Sequence, residues 1–300
     1  GGAGFIGSHL SEKLLSLGAE VTILDLISVV GKDKIKNFSE NLDRHDFDIL
    51  KSDFKELPDD FDYIFHLAGV TSAYEFQKNP DFGLKTNVDG TKNVLEYATK
   101  TNVKKIIFPS TAFVYGKYPK YIPIDEKHPI DVSDNFYSLS KKLGEDLCKN
   151  FVESNGLPIV ILRLFTTFGP RQTKDYFIPT VILQAIKSGK VEIWSEKPKR
   201  DFLYITDTVD AMIRSADSDY IGKPVNIGSG SEVSIGEVGR LIADQLNAEF
   251  SSLEKDVLGP MRLLCDYSLA KRLLGWEPKV SFSDGLSKTI EWFSKNHHLY

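Results

Sequence analysis

The sequence predicts a doubly wound α/β fold, and three observations predict it. Short, nearly continuous apolar runs alternate with helical stretches, a glycine-rich turn opens the first helix, and an acid closes the first strand. The elements follow in order. Ser8 to Leu17 reads as a helix and Val21–Asp25 as a strand. Phe47–Leu50, Asp62–Leu67, Lys105–Phe108 and Ile159–Leu162 read as further strands. Their apolar residues hardly alternate with polar ones, as expected of strands covered on both faces. Between them, Thr86 to Lys100 and Tyr137 to Ser154 carry helical patterns; Val88, Val94, Leu95 and Ala98 form an apolar stripe on the first of these two. Strand–helix–strand repetition implies parallel strands joined by right-handed crossovers. The second half mixes short strands and helices less regularly, with Pro170, Pro179, Pro198, Pro224, Pro260 and Pro278 in its loops.

Composition bounds the function. The 300 residues carry 37 Lys and Arg against 42 Asp and Glu, a net charge of −5. That balance lacks the basic footprint of a general nucleic-acid binder. No apolar run reaches the ~18 residues of a membrane span. Cys148 and Cys265 belong to no CxxC pair and read as buried free thiols. No charged-then-apolar signal segment opens the chain, so a cytoplasmic setting is expected. No cluster with metal-ligand spacing stands out, and no metal is expected.

Gly1-Gly2-Ala3-Gly4-Phe5-Ile6-Gly7 is the first chemical signal. Glycines let the backbone approach a pyrophosphate, and the following helix offers its N-terminal N–H groups to that anion. Asp25, 18 residues after Gly7, ends the next strand, where a carboxylate can hold both ribose hydroxyls of an adenosine and repel a 2′-phosphate. NAD is therefore expected over NADP, although Lys32 and Lys34 follow closely. The glycine spacing fits both GxGxxG and GxxGxxG, and a strand is expected upstream of Gly1. A second signal is Tyr137-Ser-Leu-Ser-Lys141, which places a phenol and an ammonium on one helix face. Ser110 and Thr111 offer hydroxyls at the carboxyl end of a strand, the edge where open parallel sheets bind ligands.

These motifs resemble those of the extended short-chain dehydrogenases/reductases, in the nucleotide-sugar epimerase/dehydratase group. The resemblance runs along nearly the whole chain. It includes the glycine turn (settled as GxxGxxG), His66-Leu67-Ala68-Gly69, Asn87-Val88-Asp89-Gly90-Thr91, Ser110–Gly116 and YxxxK. It continues through Arg163-Leu-Phe-Thr166, Phe168-Gly-Pro-Arg-Gln172, Arg200-Asp-Phe-Leu-Tyr204 and Ala270–Pro278. It implies a Rossmann-type NAD-binding domain over 1–166 and a smaller α/β nucleotide-sugar-binding domain over 167–300, some of whose segments return to the first. It implies Tyr137 as acid/base, Lys141 as the residue that holds the nicotinamide ribose and lowers the phenol's pKa, and Thr111 on the reacting sugar oxygen. Gly1, Gly4, Phe5, Ile6, Gly7, Asp25, Asp53, Phe54, Leu67, Ala68, Gly69, Asn87 and Ser110 would lie along NAD. Thr166, Trp194, Arg200 and Arg262 would meet the nucleotide-diphosphate sugar, with Lys255 competing with Arg262. Arg200 has a second reading as the ion-pair partner of Asp201, and Trp194 as a core residue. A homodimer through the helices 86–100 and 137–154 is also implied.

Electrostatics refine the tyrosine's role. A free phenol ionises near pH ~10, so work near pH 7 needs ~4 kcal/mol. One cation at ~6 Å with effective ε ~20 supplies roughly 2.8 kcal/mol. Lys141 alone falls short, and the positive charge of oxidised nicotinamide would close the gap.

The sequence departs from the group's pattern in ways that bear on the reaction. Thr166 stands where Asn is usual, and Leu26 follows Asp25 where Asn is frequent. Nucleotide-sugar 4,6-dehydratases carry Asp-Glu after the threonine, and the glucuronate decarboxylases keep a Glu there. Here the positions are Ala112 and Phe113, which transfer no proton. A C4 epimerase acting through a 4-keto sugar is the expected function. A 4-ketoreductase of deoxysugars is the alternative in the same class, and a non-catalytic NAD-binding sensor the alternative outside it.

Overall fold

The computed structural model describes residues 1–26, 42–256 and 259–300. Lys32 and Lys34 lie outside the described residues. The first half reads α1 (Phe5–Ser16), β1 (Thr22–Asp25), β2 (Asp43–Asp46), β3 (Tyr63–Phe65), α2 (Ala73–Lys78) and α3 (Pro80–Ala98). Next come β4 (Lys105–Thr111), α4 (Phe136–Asn155), β5 (Ile159–Leu164) and β6 (Thr166–Phe168). Then follow α5 (Phe177–Ser188), β7 (Lys190–Ile193), β8 (Lys199–Arg200), β9 (Phe202–Tyr204) and α6 (Ile205–Ala216). The chain ends with β10 (Pro224–Ile227), β11 (Val233–Ser234), α7 (Ile235–Leu246), β12 (Glu249–Ser252), α8 (Ser268–Leu274) and α9 (Phe282–Asn296).

The main sheet has the order β10-β5-β4-β3, every pair parallel. β1 and β2 form a separate parallel pair. β5 is buried along its whole length, and so is β4 after Lys105, which is why the sequence shows runs and not alternation there. Successive side chains nevertheless face opposite layers. Ile106 and Phe108 pack with Leu95 and Cys148 of the α3–α4 layer. Ile107 packs with Leu10 of α1 and with Val209 and Met212 of α6. Cys148 and Cys265 are both buried free thiols.

Local chemistry sets the helix ends. Asn79 caps α3 through Phe82 N–H at 3.2 Å, with Pro80 at the first helical position. Asn135 caps α4 through Ser138 N–H at 2.7 Å, and Gly156 at φ 68° ends it. A Cβ at Gly144 would come within 2.6 Å of the Phe108 ring, so this glycine lets α4 lie close on β4.

One strand differs from the sequence reading. Residues 47–50 are not a strand; the strand is Asp43–Asp46, paired in register with Thr22–Asp25. Its residues are all polar, because the pair is half exposed. The apolar Phe47 and Ile49, which suggested a strand, instead fill a small core with Val94 just beyond it.

Candidate active site

The glycine turn packs at the carboxyl end of β1. Ala3 N–H donates to Asp25 Oδ2 at 2.8 Å, so the acid and the turn meet. A Cβ on Gly1 would lie 2.3 Å from the Ala68 nitrogen, and one on Gly7 would lie 2.3 Å from Gly1 O. At Gly4 it would meet only Gly1 O, at 3.3 Å, with open space beyond. No side chain caps α1, whose first turn begins at Phe5. Glycines where the chain closes on itself, an uncapped helix start and an adjacent carboxylate suit a dinucleotide's pyrophosphate and ribose. Phe5, Ile6, Leu67 and Ala68 are half-buried around this turn, and Gly69 is exposed.

Several expected cofactor contacts are engaged elsewhere. Asn87 is buried; its Oδ1 accepts from Val70 N–H at 2.7 Å, and its Nδ2 donates to Val70 O and to Ser140. It fastens the loop after β3 to α4, with its amide hydrogens spent on that loop and helix. Ser110 faces away from Thr111, as neighbours on a strand must. Its buried hydroxyl donates to Glu145 Oε1 at 2.6 Å. Asp53 is exposed and caps the short turn Phe54–Glu56 through Lys55 N–H, while Phe54 packs edge-on against Phe47.

β4 ends at Thr111, and a 3-10 turn, Ala112–Tyr115, begins there. α4 packs on this turn, Ser138 donating to Phe113 O at 3.1 Å, and sets the Tyr137 phenol where the Thr111 hydroxyl acts on it. Phe76 and Phe113 stand edge-on to the Tyr137 ring at 5.9 and 6.2 Å. Burial pushes this phenol above its ordinary value, and the neighbouring Tyr176 phenol adds to that, while the Thr111 hydrogen bond opposes both. Lys141 follows one helical turn later on the same face of α4. Its ammonium stands 4.6 Å over the Phe108 ring, drawn down to about 8 by burial, with Cys148 and Glu145 opposing.

A buried network that the sequence reading missed lies behind this pair. Glu145 accepts from Arg163 Nε at 2.8 Å and Nη2 at 2.6 Å; Arg163 Nη1 donates to the Tyr115 hydroxyl, which donates to Asn226. The signal available was a carboxylate one helical turn beyond Lys141, on the face turned to the core. His66 is also buried, its Nε2 2.9 Å from the Thr91 hydroxyl. Thr91 gives its own proton to Asn87 O, so His66 is the donor and stays neutral; burial and then the Lys141 charge hold its pKa down to about 3.

A cleft of about 500 Å³ opens between Phe113, Tyr176, Trp194 and Arg200. Trp194 is 54% exposed at its wall, so it is not a core residue. Arg200 is buried but forms no ion pair with Asp201. That carboxylate instead accepts the N–H groups of Ser229, Gly230 and Cys265 at 2.6 to 3.0 Å. Arg200 donates to Lys199 O, and burial alone draws its pKa down from the ordinary arginine value to about 10. A desolvated guanidinium on a cleft wall with no anion beside it is a site for one. The buried hydroxyl of Thr166 lacks a partner among the described residues and lines the same cleft, the kind of polar atom a ligand or water satisfies. Arg262 is not among the cleft's lining residues; its guanidinium is held bidentately by Glu232. Lys255 contributes its backbone N–H to Trp194 O.

Comparison with known proteins agrees with this geometry. The profile of the NAD dependent epimerase/dehydratase family matches residues 1–228. UDP-glucuronic acid decarboxylase 1 of Xenopus tropicalis is 33% identical, over 98% of this chain and 71% of that protein. A putative UDP-glucose 4-epimerase of Methanocaldococcus jannaschii is 32% identical, over 99% and 98%. The UDP-glucuronic acid 4-epimerase of Bacillus cereus, solved with UDP-glucuronic acid and NAD, superposes with a TM-score of 0.90. It is 30% identical, with coverage of 99% of this chain and 98% of that one.

Proposed function

The chain belongs to the NAD-dependent epimerase/dehydratase family, and on that premise we propose that it is an enzyme that inverts C4 of a nucleotide-diphosphate sugar. The observation that carries the reading is the surroundings of the Tyr137 phenol. Thr111, at the end of β4, is the hydroxyl that acts on it, and the rings of Phe76 and Phe113 flank it. The two residues after Thr111 are Ala112, fully buried, and Phe113, whose ring stands against Tyr137. Elimination or C5 deprotonation needs a second proton-transfer group at that edge, whereas oxidation and reduction at one carbon need only one.

Tyr137 takes the proton of the sugar 4-hydroxyl and returns it at the end of the cycle. Thr111 holds the same oxygen. Lys141 holds the nicotinamide ribose, and its charge stabilises the phenolate. Held by the glycine turn and Asp25, NAD would supply hydride acceptance and donation at C4. Asp25 and the turn around Gly4 hold the adenosine and pyrophosphate. Arg200 takes the sugar nucleotide's diphosphate, and Trp194 offers a face to the base. The first 166 residues thus carry the dinucleotide and residues 167–300 the sugar nucleotide. A homodimer through α3 and α4, which expose Phe82 and Leu143, and a cytoplasmic setting complete the reading.

Proton NMR of UDP-galactose incubated with the NAD-loaded protein tests it. The anomeric signal of UDP-glucose should grow in, and Tyr137→Phe should slow it by ~10²–10⁴-fold while NAD and UDP still bind. Formation of UDP-xylose from UDP-glucuronate, with UDP-galactose untouched, would replace epimerisation by decarboxylation.

A further inference from the structure

Tyr176 lies just ahead of α5, and its phenol oxygen is 2.6 Å from the hydroxyl of Thr71, in the loop between β3 and α2. The two residues are 105 positions apart in the chain. Tyr176 is half-buried and lines the cleft. Phe113, whose ring stands edge-on to Tyr137, lines the same cleft, so Tyr176 opens onto the space next to the catalytic phenol. Burial, helped by Glu75 and Asp175, keeps Tyr176 protonated.

Two hydroxyls bonded to each other use one hydrogen between them. The pair therefore keeps one donor and several lone pairs for a ligand. This is the chemistry a sugar hydroxyl or ketone requires. Epimerisation also poses a mechanical problem. The 4-keto sugar must present its second face to the same phenol and the same cofactor, so it has to let go of Thr111 and Tyr137 without leaving the cleft. A hydroxyl partner on the cleft wall, on a different element, gives the turning sugar something to hold.

We propose that Tyr176, supported by Thr71, is a sugar-contacting residue that retains the 4-keto intermediate while it turns. The inference rests on the 4-epimerase reading above. When the ketone is lost in mid-cycle, the two electrons and one hydrogen from C4 stay behind on the nicotinamide, and the O4 proton stays on the protein. Loss therefore leaves a reduced cofactor, which fluoresces.

The test uses the NAD-loaded protein, UDP-galactose and UDP, with Tyr176→Phe and Thr71→Val. Tyr176→Phe should raise KM for UDP-galactose by ~5–10-fold, the size of one lost hydrogen bond. It should leave the UDP Kd within about twofold and build up nicotinamide fluorescence during turnover. Thr71→Val should move the same readouts the same way by less. Equal weakening of UDP and UDP-galactose, or unchanged KM and fluorescence in Tyr176→Phe, would overturn the proposal while leaving the epimerase reading intact. A wild-type protein that binds UDP-galactose yet never inverts it would overturn both.

Discussion

Replacing Arg200 by Met should move stability and binding in opposite directions. Among the described residues the buried guanidinium has one carbonyl partner and no carboxylate. Burial takes its pKa down from the ordinary arginine value to about 10. A fall of that size corresponds to roughly 3 kcal/mol against folding, at ~1.4 kcal/mol per tenfold in proton affinity. The cost is present in full below pH 10, where folded and unfolded arginine are both charged, and it disappears only above the unfolded value. Met keeps much of the side chain's length without the charge, so Arg200→Met should stabilise the ligand-free protein by up to roughly 3 kcal/mol. Binding should suffer. A guanidinium on a diphosphate makes charge-assisted bonds of roughly 1.5–3 kcal/mol each. Loss of ~3 kcal/mol in total weakens UDP about 150-fold. Urea unfolding of the NAD-free protein and calorimetric titration with UDP read the two effects. A variant that is less stable than wild type and binds UDP equally well would refute the argument, because Arg200 would then be structural.

Two further outcomes follow from the buried charges behind the site. Glu145→Gln removes the carboxylate that holds Arg163 by two bonds, and should cost about 3–5 kcal/mol in urea unfolding; a cost below ~1 kcal/mol would mean that the network is not coupled. Lys141 holds its proton less tightly in the fold, down to about 8 from 10.5, so its charge opposes folding below pH 8. Lys141→Met should therefore raise the Tm of the NAD-free protein at pH 7, with the advantage fading between pH 8 and 10.5 as the wild type sheds that charge. A constant difference across that range would show that the effect is packing and not charge.

Much of the site was legible because its spacing is local. Tyr137 and Lys141 share a face by helical geometry alone. The glycine turn and Asp25 meet because one helix and one strand bring them together, and Ala3 N–H reaches the carboxylate as that spacing requires. The misread strand shows the limit of the same logic. Phe47 and Ile49 are apolar because they sit under Val94, and no periodicity distinguishes that from a strand.

By itself the sequence determined the parallel alternation of strands and helices, the cofactor turn and the Tyr–Lys pair. Each depends on residues a few positions apart, held by covalent geometry and backbone hydrogen bonding. The tertiary structure decided which polar groups are free. Asp201 is adjacent to Arg200 in the chain, yet its carboxylate is taken by N–H groups 28 and 64 residues away, which leaves Arg200 unpaired on the cleft wall. Ser110 stands next to Thr111 but is committed to Glu145, and Thr71 finds Tyr176 across 105 residues. A polar side chain in the interior takes whichever partner folding brings within about 3 Å, and chain neighbours on a strand point to opposite sides.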